Sequence, residues 1–216
     1  MEKNKETEVT KRVVYNLVIV DESGSMSCIE REARAGINET IATCQKMQTA
    51  HPEMEQRITL VTFNSSKFKV HLDDVPADKA HKKRAMNYNP CASTPLYDAI
   101  GKSIARLNSQ TDADAKVLVT IITDGEENCS EEYDLRMVKN LIEKLKKQGW
   151  TFTLIGTDDL DVEGMACGMG IDNHLEFTED EGSTKAMFMR ERRARERFSA
   201  CILADQSIPE GSYFDD

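Results

Sequence analysis

Two apolar segments of this chain, both rich in β-branched residues, end abruptly in an aspartate. Residues 13–20 are followed by Asp21, and residues 117–123 are followed by Asp124. Near-continuous runs of valine, isoleucine and leucine are typical of strands that are buried on both faces of a parallel sheet covered by helices. Ligands of such sheets bind beyond the carboxyl ends of the strands. We therefore expect both aspartates at the edge of the sheet where binding sites form.

The rest of the chain alternates strand patterns with helix patterns. Six strands are predicted, at residues 13–20, 57–63, 68–72, 117–123, 150–155 and 174–178. The turn-rich segment 64–67 predicts a hairpin, which would make the third strand antiparallel at one edge of the sheet. The sequence therefore predicts an α/β fold: a doubly wound, mostly parallel six-stranded sheet with one antiparallel edge strand and helices on both faces.

Helical patterns occupy most of the segments between these strands. Four helices are predicted: from just after Ser25 to His51, from Thr94 to Leu107, from Ser130 to Gly149, and from Ser183 to Leu203. Ser130 is expected to be the N-cap of the third helix, because serine accepts hydrogen bonds from free N–H groups of a first turn. The glycine-rich stretch 164–170 is interpreted as a connection between strands.

The composition limits the partners that the chain can bind. Its 216 residues include 28 basic and 38 acidic side chains, for a formal net charge of −10. This excess of acid argues against general affinity for nucleic acid or anionic lipid, so neither is predicted as a partner. One domain is expected across residues 12–204, with a polar N-terminal extension at 1–11 and a loose acidic C-terminal tail at 205–216.

No targeting or membrane-spanning pattern is evident in the sequence. Residues 1–10 alternate acidic and basic side chains and lack the apolar centre of a signal peptide. No apolar stretch approaches the roughly twenty residues that span a bilayer. The six cysteines are widely spaced and form no C-x-x-C pair, which favours reduced thiols over a disulfide framework. These features predict a cytoplasmic protein.

Three loops carry candidate metal ligands. Asp21, Ser23 and Ser25 alternate directly after the first strand, so an extended backbone would project their side chains to one face. Thr94 opens a predicted helix, and Asp124 follows the fourth strand. Carboxylate and hydroxyl oxygens are the ligands that a hard divalent cation such as Mg²⁺ prefers. The alternatives are ordinary turn formation for the aspartates and serines, and N-capping for Thr94.

These loops resemble the metal-ion-dependent adhesion site, or MIDAS, of the von Willebrand factor A (VWA, or integrin I-like) domain. That site uses a D-x-S-x-S loop, a threonine on a second loop and an aspartate on a third. The matching positions here are Asp21, Ser23, Ser25, Thr94 and Asp124. The resemblance covers about residues 12–204 and is strongest to free-standing bacterial cytoplasmic members, including those of tellurium-resistance clusters. It implies a VWA fold, which is Rossmann-like, and a complete MIDAS.

The resemblance also implies how the ion is held and used. Ser23, Ser25 and Thr94 would contact Mg²⁺ directly, with Mn²⁺ or Ca²⁺ as alternatives, while the two aspartates would act largely through water. Since magnesium dehydrates reluctantly, few charges around it leave it ready to accept an outside carboxylate. The chain is therefore predicted to be a non-catalytic module that binds a protein partner, which supplies an Asp or Glu to the metal.

The alternative function is a metal-assisted phosphohydrolase or phosphotransferase, because Mg²⁺ held by oxygens also suits phosphate chemistry. Ser23 occupies the position where a D-x-D-type phosphatase loop has its second aspartate, and no glycine-rich lysine loop is present. The sequence therefore favours a protein that is not an enzyme. It leaves the identity of the partner and the oligomeric state open.

Two further features allow more than one interpretation. Cys28, Cys91 and Cys129 each lie near one of the three loops, and one hypothesis is that they form a thiol cluster open to oxidation or a soft metal. The alternative is ordinary apolar packing. An arginine-rich run at residues 190–197 is predicted to be a solvated helix face, with a docking stripe for an acidic partner or nucleic acid as the alternative.

Overall fold

The computed structural model describes residues 11–80, 88–112, 115–206, 209 and 211–215. Residues 1–10, nearly the whole predicted N-terminal extension, lie outside the described residues. The strands of the described part are β1 (Arg12–Asp21), β2 (Met54–Asn64), β3 (Lys67–Pro76), β4 (Lys116–Ile122), β5 (Trp150–Thr157) and β6 (Asn173–Phe177). They form one six-stranded sheet in the order β3-β2-β1-β4-β5-β6.

The pairing of the strands confirms the predicted fold class. All neighbouring strands are parallel except β2 and β3, which form an antiparallel hairpin at one edge of the sheet. Each parallel connection needs a crossover segment, and the helices supply it. The fold is therefore α/β and doubly wound, with one antiparallel edge strand.

Five α-helices accompany the sheet in the described ranges. They are α1 (Glu30–Ala50), α2 (Leu96–Asn108), α3 (Leu135–Lys146), α4 (Val162–Met169) and α5 (Glu181–Leu203), with short 3₁₀ helices at Ser25–Ile29 and Ala77–Lys79. None of these helices is long and apolar enough to cross a membrane.

Helices cover the sheet on both faces, and successive residues of β1 alternate between the two cores. Val18 belongs to the cluster that includes residues of α1 and α5. Leu17 belongs to the cluster that includes residues of α2, α3 and α4. Both side chains are almost completely buried, as expected for strands that are apolar on both faces.

The order of the strands reverses at the β1–β4 pair, which is the central pair of the sheet. Sequential β1 and β2 lie on one side of this point, and β4, β5 and β6 continue on the other. Crevices for ligands form at such switch points, beyond the carboxyl ends of the strands. Val20 lies opposite Ile122 in this pair, so Asp21 and the residues after β4 reach the same crevice.

The predicted start of the third helix is wrong. Helix α3 begins at Leu135, and its N-cap is Asp134, whose side chain accepts a hydrogen bond from Met137 N. The residues just after Ser130 are tied to α2 instead, because the Asp98 carboxylate accepts hydrogen bonds from three successive N–H groups, those of residues 131–133. This contact between distant segments outweighs the local capping preference of Ser130.

Helix α4 (Val162–Met169), which the sequence pattern did not predict, includes most of the glycine-rich stretch 164–170. Val162, Ala166 and Met169 are buried on one face of α4, so tertiary packing stabilises a segment whose glycines weaken intrinsic helix propensity. Gly170 ends α4 in the left-handed conformation, with φ of 76°, which glycine adopts without steric penalty.

The part of the predicted loose tail that the structure describes is packed. Tyr213 is fully buried, and its ring meets the edges of Phe198 and Phe214. Arg190 donates hydrogen bonds to the Phe214 carbonyl, and Arg197 donates to that of Tyr213. Two arginines of α5 therefore hold this segment against the domain.

Arg195 contradicts the prediction that the arginine-rich run is a solvated face. Its side chain is 1% exposed and pairs with Glu191, which is 3% exposed. Its guanidinium also donates to Asn16 at 2.6 Å and Thr120 at 2.8 Å. Burial disfavours the charge on Arg195, yet the Glu191 carboxylate holds the pKa of Arg195 above its ordinary value. Arg193, by contrast, is exposed.

We predict that Arg195→Met lowers the free energy of unfolding by about 3–5 kcal/mol, because it leaves the Glu191 carboxylate buried without its partner. Urea denaturation measures this change. Arg193→Met on the same helix is the matched control and should change stability by no more than about 0.5 kcal/mol. The double variant Arg195→Met/Glu191→Leu should recover most of the loss, and equal effects of Arg195→Met and Arg193→Met would refute the prediction.

Candidate metal centre

The first candidate loop leaves β1 and turns at once across the end of the sheet. The Asp21 side chain accepts a hydrogen bond from Ser23 N at 2.7 Å, which bends the backbone after the strand. The 3₁₀ helix then begins at Ser25. This turn places Ser23 Oγ 3.2 Å from Ser25 Oγ. The two serine hydroxyls are therefore adjacent.

The third loop meets these hydroxyls from β4. Ser25 Oγ donates a hydrogen bond to Asp124 Oδ1 at 2.8 Å. Thr123 Oγ1 donates to Asp21 Oδ2 at 2.6 Å and accepts from Gly125 N at 3.1 Å. Thr123 thus links the two aspartate loops, and both oxygens of Asp21 are engaged in hydrogen bonds within the chain.

Thr94 approaches the same point from the second loop. A Cβ atom added to Gly125 would lie 3.0 Å from Thr94 Oγ1 and 3.6 Å from Ser25 Oγ. The two hydroxyls therefore flank the small space that the missing side chain of Gly125 leaves open. Pro95, not Thr94, occupies the N-cap position of α2. The capping alternative for Thr94 is not observed.

Glu22, which the sequence reasoning missed, anchors the second loop. Its side chain is fully buried, with Oε1 accepting from Lys67 Nζ and from Asn89 N, both at 2.6 Å. Its backbone carbonyl accepts from Cys91 N at 3.0 Å. A buried carboxylate needs such partners, but no local pattern pairs residue 22 with residue 67. Glu22 therefore ties the D-x-S-x-S loop to the loop of Thr94.

The second loop is also held to the third. Thr94 N donates to Asn128 Oδ1 at 2.9 Å, and Asn128 N donates back to the Thr94 carbonyl at 3.2 Å. Tyr88 OH donates to the Asp21 carbonyl at 2.6 Å. Hydrogen bonds from side chains and backbone thus fix each loop to the others. These hydrogen bonds set the positions of the Ser23, Ser25 and Thr94 hydroxyl groups.

Burial makes the negative charges of this site unfavourable. Asp124 is 4% exposed, and burial raises its pKa to about 7, with the Ser25 hydrogen bond opposing the rise and the charges of Asp21 and Glu179 adding to it. Burial also raises the pKa of Asp21, against the hydrogen bonds from Thr123 and Ser23. Asp124 Oδ2 is buried and has no hydrogen-bond partner among the described residues. A divalent cation would neutralise these charges and take up the free oxygen.

The arrangement fits a hard divalent cation. Hydroxyl oxygens of Ser23, Ser25 and Thr94 and a carboxylate oxygen of Asp124 converge, while Asp21 orients the loop. These are the oxygen ligands that Mg²⁺, Mn²⁺ and Ca²⁺ accept. The structure thus brings together all five residues that the sequence predicts, four through direct hydrogen bonds within the cluster and Thr94 through its approach to Gly125.

The hypothesis of a thiol cluster is not supported by the geometry. Cys28, Cys91 and Cys129 do not form a group with all three sulfur atoms within 4.8 Å of one another. The single S–H proton of Cys28 has two acceptors within reach, the Ser25 carbonyl and Glu179, whereas Cys91 accepts a hydrogen bond from Asn64. Proximity in sequence to the metal loops does not bring the three sulfurs together.

Comparisons with known proteins identify the architecture. No protein-family model matches the sequence, and a search of curated proteins finds no match. The pilus adhesin SpaC of Lactobacillus rhamnosus GG has a similar structure, with a TM-score of 0.64 at 15% identity over 86% of this chain and 31% of that chain. The SpRpn10 VWA domain gives 0.59 at 10% identity over 82% of this chain and 94% of that chain. The chain has the fold of a von Willebrand factor A domain.

A third structure with the VWA fold is proximal thread matrix protein 1 from the mussel byssus, solved with a zinc-occupied MIDAS motif. Its TM-score is 0.60 at 12% identity, over 87% of this chain and 46% of that chain. The chain spans about a third of SpaC and under half of this matrix protein. At these identities the likeness establishes the VWA fold, and the role of the site in this chain rests on its own residues.

We predict that Thr123→Val weakens Mn²⁺ binding by about 10–100-fold, the range typical for residues that orient metal ligands. The substitution removes the hydroxyl that holds Asp21 and keeps the shape of the side chain. Isothermal titration calorimetry measures the affinity. Thr157→Val is the matched control at the same edge of the sheet, because Thr157 Oγ1 is buried and has no hydrogen-bond partner within the described ranges. Equal affinities of the two variants would contradict the role of Thr123.

We also predict that Gly125→Ala weakens Mn²⁺ binding by about tenfold, because its Cβ would displace the Thr94 hydroxyl. The control is Gly24→Ala. Gly24 has a φ of −63°, and its added Cβ would meet the backbone of Ala92 at ordinary contact distances, 3.5 Å to the carbonyl oxygen and 3.9 Å to the nitrogen. Calorimetric titration of both variants with Mn²⁺ shows whether affinity falls because the space beside Thr94 is filled or because any glycine in these loops is replaced by alanine. Unchanged affinity in Gly125→Ala would show that the space beside Thr94 is not used.

Proposed function

We propose that this chain is a non-catalytic module that binds a protein partner through a divalent metal ion. The observation that carries the proposal is the buried Oδ2 of Asp124, which has no hydrogen-bond partner among the described residues and belongs to a side chain beside the hydroxyl groups of the other two loops. Asp124 is 4% exposed, and a buried carboxylate oxygen that lacks a donor is rare in folded proteins unless an ion or water completes it.

The residues have distinct roles in this proposal. Ser23, Ser25 and Thr94 supply the hydroxyl oxygens that contact the ion. Asp124 would hold the ion through Oδ2, directly or through water. Asp21 orients the loop, because both of its oxygens are already taken by Ser23 N and Thr123 Oγ1. An ion held by these residues would supply a Lewis-acidic position for a carboxylate from outside.

The partner is proposed to be a protein with an exposed aspartate or glutamate. Three of the proposed ligands are neutral hydroxyls, so the ion keeps much of its positive charge for an outside ligand. Ser25 is exposed, so the centre is accessible from solvent. A pilus adhesin and a matrix protein with a zinc-occupied MIDAS motif share the fold, which supports a role in protein binding.

Magnesium is the proposed resident ion, with Mn²⁺ or Ca²⁺ as alternatives, because the donors around the hydroxyl cluster are oxygens. We also propose a single domain across residues 12–204 in a bacterial cytoplasmic protein. All six cysteines are free thiols, which supports a reducing compartment. The formal net charge of −10 supports a protein partner rather than nucleic acid or an anionic membrane.

The test is capture of partners from a cell lysate by the immobilised chain in Mg²⁺ and in EDTA. We expect Mg²⁺-dependent capture by the wild type and its loss in Ser25→Ala. Ser27→Ala is the matched control, since Ser27 is an exposed serine in the same 3₁₀ helix. Amidation of lysate carboxylates with a carbodiimide and an amine should also abolish capture, because the proposal requires a partner carboxylate.

Two results would contradict the proposal. Capture that persists at the level of the wild type in Mg²⁺, both in EDTA and in Ser25→Ala, would place binding on another surface. Magnesium-dependent hydrolysis of p-nitrophenyl phosphate that is lost in Ser23→Ala would favour the phosphohydrolase alternative.

A further inference from the structure

A sulfur atom and a second carboxylate lie beside Asp124. Cys28, in the 3₁₀ helix Ser25–Ile29, donates a hydrogen bond to Glu179 Oε2 at 3.2 Å. One ligand atom from each of Cys28, Asp124 and Glu179 lies within 4.8 Å of the other two. Glu179 stands between β6 and α5, so the three residues come from three separate parts of the chain.

The burial and free oxygen of Asp124 are the second observation that points to a cation at this group. It is 4% exposed, and its Oδ1 already accepts from Ser25. Its Oδ2 has no partner in the part of the chain that the structure describes. A buried oxygen in this state has lost its hydration without gaining a hydrogen bond in return. A cation held between Asp124 and the two exposed side chains would satisfy it.

The spacing of the ligand atoms suits a tetrahedral ion. Zinc bonds of about 2.3 Å to sulfur and about 2.0 Å to oxygen, at the tetrahedral angle, require a separation of about 3.5 Å between the two ligands. The observed separation of Cys28 Sγ and Glu179 Oε2 is 3.2 Å, so a shift of a few tenths of an ångström is enough. The ion would take the place of the thiol proton, which would leave to solvent.

We propose that Cys28, Asp124 and Glu179 form a mixed sulfur and oxygen site for a borderline divalent cation of the zinc class, with the fourth position open to water. Thiolate ligands select zinc-like ions, whereas Mg²⁺ takes oxygen ligands. The site therefore adds a second metal preference to the candidate centre. This mixed site rests on the proposed function, because Asp124 would be a ligand of both ions. The zinc-class ion and Mg²⁺ would therefore compete for Asp124.

The test uses Co²⁺ as a spectroscopic probe for zinc, with the full chain under reducing conditions. Cobalt bound to a thiolate gives a charge-transfer absorption in the near ultraviolet. We expect this absorption in the wild type and its loss in Cys28→Ser. Cys91→Ser is the matched control, because Cys91 is also an exposed free cysteine on a neighbouring loop. Glu179→Gln should weaken Zn²⁺ binding by about tenfold or more in competition with a chromophoric chelator.

The outcomes separate this inference from the proposed function. Absence of the absorption in the wild type, or its persistence in Cys28→Ser, would overturn the mixed site whatever the result with Mg²⁺. Cys28→Ser should keep Mg²⁺-dependent capture of the partner. Thr94→Val should lose that capture and keep the cobalt absorption. Failure of the proposed function alone would leave the Cys28-dependent cobalt signal intact.

Discussion

The parallel pairing of β1 with β4 is the interaction on which the rest of the site depends. Its register sets Val20 beside Ile122, so the chain leaves both strands at the same place. Thr123 can then donate to Asp21 across the pair at 2.6 Å. A slip of one residue in either strand would move the side chains of that strand to the opposite face of the sheet. It would also separate the two aspartate loops. The buried apolar faces of β1 and β4 specify this register.

The same geometry concentrates negative charge on side chains that are themselves almost fully buried. Asp21 and Asp124 are both almost fully buried, and burial raises the pKa of each. Hydrogen bonds from Ser23, Thr123 and Ser25 offset part of this cost. Glu22, equally buried, is paired with Lys67 and so serves the scaffold. Asp124 Oδ2 and Glu22 Oε2 both lack a donor among the described residues, and it is Asp124 whose other oxygen accepts from Ser25 in the hydroxyl cluster.

Some features of the molecule follow from short-range pattern alone. The six strands lie within a few residues of their predicted positions, because continuous apolar runs and turn residues mark them locally. The alternation of Asp21, Ser23 and Ser25 directly after a buried strand also indicates the loop in which the two serine hydroxyls are adjacent. That these residues bind a metal stays a prediction. The start of α3 and the buried Arg195 were predicted incorrectly, since partners from other segments decide both.

The sequence by itself determined the strands, the antiparallel edge and the residue types at the carboxyl edge of the sheet, because alternation, apolar runs and turn preferences act within a few residues. Only the tertiary structure decided which side chains meet there. Cys28 and Glu179 lie 151 residues apart in sequence and within 3.2 Å in space, and Glu22 reaches Lys67 across 45 residues. No local sequence pattern predicts such pairings, because they form only when the strands and helices of the whole chain pack together.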